Sequence, residues 1–118
     1  MTLKGKEGAE QIAYIMSSFR RYPLREVASV PVVAVEDYAV SKRWEDGAEK
    51  PIHLPCSNVL KYELANGSWF CVRPSGTEPK AKFYFGVKGK SQQESDTMLM
   101  QLEQAVMSLV EDALYQMK

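Results

Sequence analysis

The sequence predicts an α+β fold of two layers, a four-stranded, mostly antiparallel sheet with two helices on one face. Three observations carry this. Both ends of the chain repeat apolar residues at helical spacing. The middle alternates apolar and polar residues around an Asn-Gly dipeptide. The elements also run helix, strand, loop, hairpin, strand, helix, which is not the alternation that builds a parallel sheet. A length of 118 residues with 45% hydrophobic content supplies one core and little room for a second, so residues 1–118 are read as a single domain.

The first helix lies in KEGAEQIAYIMSSFRRYP. Ile12, Ile15, Met16 and Phe19 recur on one face, Arg20 and Arg21 suit the negative end of the helix dipole, and Pro23 stops the run. EVASVPVVAVEDYAV is rich in valine and reads as a strand, with Pro31 placing it at an edge because proline donates no ladder hydrogen bond. Residues 39–57 lose all periodicity and gather glycine, proline and charge, which predicts a long mobile loop.

NVLKYELANGSWFCVRP reads as a hairpin. Leu60, Tyr62 and Leu64 alternate with Lys61 and Glu63, and Asn66-Gly67 supplies a two-residue turn. That turn pairs Leu64 with Trp69, Tyr62 with Cys71 and Leu60 with Arg73. KAKFYFGV alternates again, Ala81, Phe83, Phe85 and Val87 on one side and Lys80, Lys82 and Tyr84 on the other, and gives the fourth strand. Ser91 and Glu94 form a capping box for the last helix. Leu99, Leu102, Val106, Leu109, Val110, Ala113 and Met117 make its apolar stripe, and the methionines at 98, 100, 107 and 117 read as packing.

Charge and composition exclude several functions. Fifteen basic residues balance fifteen acidic ones, so no overall field draws the chain to nucleic acid or an anionic membrane, and any anion site is local. His53 is the single histidine, which rules out a two-histidine relay or a histidine-rich metal site in this chain. Cys56 and Cys71 lack metal-ligand spacing and read as reduced thiols of a cytoplasmic protein. No apolar run approaches the roughly 18 residues of a membrane span, and MTLKGKEGAE is not a signal peptide. Glu36, Asp37, Glu45 and Asp46 read as solvated turn charge and His53 as a surface residue. Trp44 is an apolar side chain in a polar stretch, suited to covering a neighbouring domain.

The chemistry concentrates in RPSGTEPK, residues 73–80, where one strand ends and the next has not begun. A phosphate needs donors converging from several directions. A guanidinium grips two of its oxygens, the hydroxyls of Ser75 and Thr77 each donate one bond, and Gly76 lets backbone N–H groups approach. Pro74 and Pro79 restrict the backbone beforehand, which lowers the ordering cost of binding. The bland alternative is a turn built from ordinary turn formers, with Arg73 as a solvated strand-end cation.

VRPSGTEPKAKFYF, preceded by SNVLKYELANGSWF, resembles the C-terminal phosphate-binding domain of the α-D-phosphohexomutases, in the bacterial phosphoglucomutase/phosphomannomutase branch. The likeness covers roughly residues 5–117, and Asn58 to Val87 is its specific part. The resemblance implies a TATA-box-binding-protein-like domain, the last of four, that closes over the active site. Its RPSGT loop would hold the substrate phosphate that is not being transferred, with Arg73, Ser75, Gly76 and Thr77 as contacts. Lys82 stands where many relatives have an arginine and is a further candidate; a lysine keeps the charge but loses the bidentate fork.

The family's phosphoserine loop, aspartate-rich Mg²⁺ loop and Glu-Ser-Gly sugar loop have no counterpart in these 118 residues. The chain is therefore expected to be a substrate-phosphate clamp with no catalytic residue and no metal of its own, inactive by itself. Its implied partners are hexose phosphate and the other three domains, with Mg²⁺ bound by those domains. The parent would interconvert glucose 1-phosphate and glucose 6-phosphate, or the mannose equivalents, through a phosphoserine and a bisphosphate. Two other classes are an RNA- or nucleotide-binding α+β module, suggested by Trp69, Phe70, Phe83 and Tyr84 on the strands, and a purely structural interaction domain.

Overall fold

The computed structural model describes residues 5–75 and 81–117. Helix α1 (Gly5–Arg21) is followed by seven strands, β1 (Glu26–Val27), β2 (Val30–Asp37), β3 (Lys42–Glu45), β4 (Ala48–Pro51), β5 (Leu60–Leu64), β6 (Trp69–Pro74) and β7 (Ala81–Gly86), and by helix α2 (Gln92–Met117). The strands form one antiparallel sheet in the order β4-β3-β2-β5-β6-β7, with β1 paired to β2 off that path. The α+β class and both helices agree with the sequence reading; the strand count does not, being seven among the described residues rather than four.

The helices bury the stripes that their spacing predicts. Ile12, Ile15, Met16 and Phe19 of α1 and Leu102, Val106, Val110 and Ala113 of α2 are all buried. All of these except Ile12 and Ala113 join one cluster with Leu60, Tyr62, Leu64, Phe70 and Val72 from the central hairpin, so both helices cover one face of the sheet. The start of α2 is capped as expected, Glu94 N donating to Ser91 Oγ at 3.1 Å. Met100 departs from its packing role and is 53% exposed, whereas Met107 lies against the core.

Three further sequence expectations, about the strands and their connections, are corrected. The stretch 39–57 is not a loop throughout, since Lys42–Glu45 and Ala48–Pro51 pair as a hairpin. Its turn is Asp46-Gly47, with φ of 52° and 76°, a pair that matches the twist of antiparallel strands. The strands carry charge in place of apolar alternation because their outward face is held by ion pairs. Arg43 reaches Glu36, Glu45 and Glu63 on three different strands, and these hydrogen bonds hold the Glu45 carboxyl below the usual carboxylate range. The glutamates are thus paired and not merely solvated.

The strand containing Pro31 is not at an edge. β2 lies between β3 and β5 over Ala34–Asp37. Pro31 is tolerated because it sits near the start of β2, against the two-residue β1 and before a register shift between Val32 and Ala34. The chain turns from β1 to β2 through Ala28 and Ser29, both at positive φ.

The third correction concerns the hairpin that leads to RPSGT. Leu64 N bonds to Ser68 O at 2.8 Å and Gly67 N to Leu64 O at 3.0 Å, which makes the connection three residues long, with Gly67 at φ 85°. A three-residue loop with a left-handed glycine shifts the pairing by one place relative to a two-residue turn. Tyr62 is consequently opposite Phe70 and Leu60 opposite Val72. Buried residues now face buried residues, and Arg73 falls on the other side of the sheet.

A polar latch holds the end of the sheet where β2 stops and β5 starts. Arg20, near the end of α1, donates to both carboxylate oxygens of Asp37, at 3.0 and 3.2 Å, and to Asn58 Oδ1 at 2.8 Å. Asp37 also accepts from Ala39 N and is 6% exposed. The sequence reading of Asp37 as solvated turn charge is therefore replaced by a buried, fully paired carboxylate.

Candidate functional site

The β5–β6 and β6–β7 registers together decide what surrounds RPSGT. Arg73 is directly opposite Lys82 across β6 and β7, and one step along, Cys71 is opposite Tyr84. Cys71 is also opposite Lys61, and Lys61 opposite Glu36. All of these lie on the face that the helices leave open, because Phe70 and Val72 in between are completely buried on the helix side. Arg73 and Lys82 are exposed and Ser75 is half-buried. Gly76 and Thr77, the other two predicted contacts, lie outside the described residues.

The charges on this face are distributed unevenly. Toward β3, Arg43 is held by three carboxylates and Lys50 by Glu45. At the mouth of RPSGT, neither Arg73 nor Lys82 has a carboxylate within ion-pair distance among the described residues. Two cations are thus brought face to face with no described anion to balance them. Like charges directly opposite one another on a sheet are unfavourable, and a dianionic ligand seated between them removes that repulsion.

Cys71 responds to two opposing influences. Burial pushes its thiol up, while Lys61 and Arg73 pull it down. The net upward direction describes a neutral thiol and not an activated nucleophile. Cys56 is exposed with its sulfur 3.3 Å from Ser41 Oγ. Neither cysteine is disulfide-bonded.

The four aromatics of the nucleotide-binding alternative are divided by the fold. Phe70 is fully buried and Phe83 packs against the core on the helix side. Trp69 is on the open face, but its ring is occupied. A Cβ on Gly86 would run into its indole nitrogen, so the ring lies close against Gly86 of β7, and the Lys61 ammonium is 5.2 Å from its centroid. Tyr84 alone among the four keeps an uncovered ring, which is too little for base stacking along a sheet.

Trp44 lies on the helix side of β3. With Phe19, Pro23, Val35, Leu60 and Tyr62 it lines an apolar hollow of about 360 Å³. The polar residues at its rim, Arg20 and Asp37, satisfy each other, and it is on the opposite face from Arg73, so it is not part of the cationic site. No group of three or more His, Cys, Asp or Glu among the described residues is arranged to hold a metal. No helix of the described residues is long and apolar enough to cross a membrane.

Residues 21–105 match the family model described as phosphoglucomutase/phosphomannomutase, C-terminal domain. The chain belongs to this family. Among its relatives, the phosphoglucomutase of Staphylococcus haemolyticus is 43% identical over 86 residues, 71% of this chain. A phosphoglucomutase of Staphylococcus aureus is 39% identical over 89 residues, and that of Staphylococcus saprophyticus is 36% identical over the same length. The matched segment makes up 16% of the length of each. As a phosphoglucomutase/phosphomannomutase C-terminal domain, the chain has the two-layer α+β architecture that its resemblance implied.

Sequence reading alone paired Arg73 with Leu60 and missed the cross-strand partnership of Arg73 and Lys82. The positive φ of the third loop residue, Gly67, sets the β5–β6 register and with it the face on which Arg73 lies, whereas the partnership with Lys82 belongs to the β6–β7 register. The Arg20–Asp37–Asn58 latch was also missed, since residues 17 and 38 positions apart in sequence carry no local pattern.

Proposed function

We propose that this chain is the substrate-phosphate clamp of a phosphohexomutase, one domain of a longer enzyme that interconverts hexose 1- and 6-phosphates. Arg73, Ser75, Gly76 and Thr77 hold the phosphate that is not being transferred, and Lys82 supplies a second positive charge. The single observation that carries this reading is the direct opposition of Arg73 and Lys82 on the open face, without a described counter-ion, at the mouth of RPSGT. A phosphate dianion between two such groups takes charge-assisted hydrogen bonds from both.

The chain contributes binding and orientation only. On this reading it carries no catalytic residue, and the Mg²⁺ that the family resemblance implies is held by the other domains of the parent. The setting that fits this chemistry is the cytoplasm. The partners are a hexose phosphate and the remaining three domains; nucleic acid and membrane are not among them.

Binding by the chain alone is weak. Three or four charge-assisted bonds contribute about 1.5–3 kcal/mol each, association costs at least about 4 kcal/mol, and a water-exposed site realises part of the gain. A dissociation constant on the order of millimolar, about −4 kcal/mol, follows. Glucose 6-phosphate at roughly twenty times that constant stabilises the folded chain by about 1.8 kcal/mol, which raises the melting temperature by several degrees. Thermal melts with glucose 6-phosphate and with unphosphorylated glucose test this. A rise with the phosphate ester only, absent in Arg73→Ala, supports the clamp; equal responses to both sugars reject it.

A further inference from the structure

We infer that Tyr84 is a sugar-stacking residue, placing the hexose ring of the bound phosphate ester on the open face of β6 and β7. The inference rests on the phosphate reading of Arg73 and adds to it where the carbohydrate goes. Lys82 and Tyr84 are two residues apart on one strand, so they share a face and their side chains are separated by about 7 Å along it. Arg73 faces Lys82 and Cys71 faces Tyr84, so the phenol ring is next in line after the paired cations.

A hexose ring is attached to its phosphate through a single ester oxygen, either directly or by way of its exocyclic carbon. A phosphate gripped between Arg73 and Lys82 therefore brings the ring within reach of Tyr84. The apolar C–H face of a pyranose packs well on an aromatic face, which has a large hydrophobic area and a negative quadrupole.

The neighbouring side chains single out Tyr84. Trp69, the other open-face aromatic, is closed off by the Gly86 backbone and the Lys61 ammonium. Phe83 and Phe85 stack toward each other on the helix side, with ring centroids 6.5 Å apart. Tyr84 is 45% exposed, and no ring, cation or hydrogen-bond partner among the described residues covers it. Its row on the sheet is bounded by the small side chain of Cys71, which leaves room over the phenol for a ring to lie flat.

The test compares two ligands, inorganic phosphate and glucose 6-phosphate, by amide-shift titration of the wild-type chain, Tyr84→Ala, Tyr84→Phe and Arg73→Ala. Tyr84 is largely at the surface, so its replacement leaves the melting temperature nearly unchanged, and this is verified first. The expected result is that Tyr84→Ala weakens glucose 6-phosphate about three- to tenfold and leaves inorganic phosphate unchanged. Tyr84→Phe, which keeps the ring, binds both like the wild type, and Arg73→Ala weakens both. Unchanged glucose 6-phosphate affinity in Tyr84→Ala overturns the stacking role, and so does an equal loss for both ligands. If the wild type binds neither ligand at Arg73, the phosphate reading itself fails and the stacking role with it.

Discussion

Replacing Arg73 by alanine is expected to weaken binding of glucose 6-phosphate to this chain by about ten- to a hundredfold, the loss of one charge-assisted, bidentate contact of about 1.5–3 kcal/mol. The fold should be untouched, because Arg73 is exposed and no described residue depends on it for an ion pair. Arg73→Lys should recover part of the affinity, since a lysine restores the charge but not the planar fork. Lys82→Ala should cost less than Arg73→Ala for the same reason. In the full-length enzyme we expect Arg73→Ala to raise KM and also to lower kcat, because binding energy from the distant phosphate orients the reacting end of the sugar. Titration calorimetry of the wild type and the three variants at one ionic strength checks the order. An Arg73→Ala chain that binds as the wild type does would remove Arg73 from the site.

The second large effect concerns stability. Phe70→Ala is expected to destabilise the chain by about 3–5 kcal/mol, a large share of the roughly 5–15 kcal/mol that holds an ordinary domain together. Phe70 is completely buried at the centre of the sheet. Its ring stacks on Tyr62 with centroids 4.7 Å apart, and Phe19 of α1 meets the same Tyr62 ring edge-on at 6.4 Å. Removing the phenyl group opens a void at the junction of helix and sheet, where neither layer can collapse to fill it. The melting temperature should fall by at least ten degrees. A fall of only a degree or two would mean that the aromatic cluster is not the centre of the core. The same substitution at Tyr84, on the other face and exposed, serves as the contrasting control.

The parts of this fold that were legible in sequence share a physical cause. Ile12, Ile15, Met16 and Phe19 announce α1 because one stripe must face the core, and Ser91 with Glu94 announces the start of α2 because orphan N–H groups need an acceptor. Leu60, Tyr62 and Leu64 likewise alternate against Lys61 and Glu63 because one face of β5 is buried. The β3–β4 hairpin escaped notice because its strands are fixed by charge. Lys42–Glu45 and Ala48–Pro51 have no apolar alternation, and the ion pairs around Arg43 that replace it join residues from β2, β3 and β5. Asp46-Gly47 was the available cue.

The proposed site is legible in its residue types and less so in its geometry. Arg73, Ser75 and the neighbouring motif residues are recognisable as phosphate-binding types at a strand end. Which face of the sheet Arg73 occupies depends on a single position of β5–β6 register, set by whether the loop at Asn66-Gly67 holds two residues or three. A one-residue slip exchanges the faces of a strand. It therefore separates an Arg73 pointing toward the helices from an Arg73 on the open face.

The most direct test of the account follows the backbone amides of the wild-type chain during titration with glucose 6-phosphate and, in parallel, with unphosphorylated glucose. The account predicts saturable shifts at millimolar concentration, centred on Arg73 to Thr77 and Lys82, for the phosphate ester and none there for glucose. Equal shifts for both ligands, or shifts for the ester centred on the Trp44 hollow across the sheet, would contradict it.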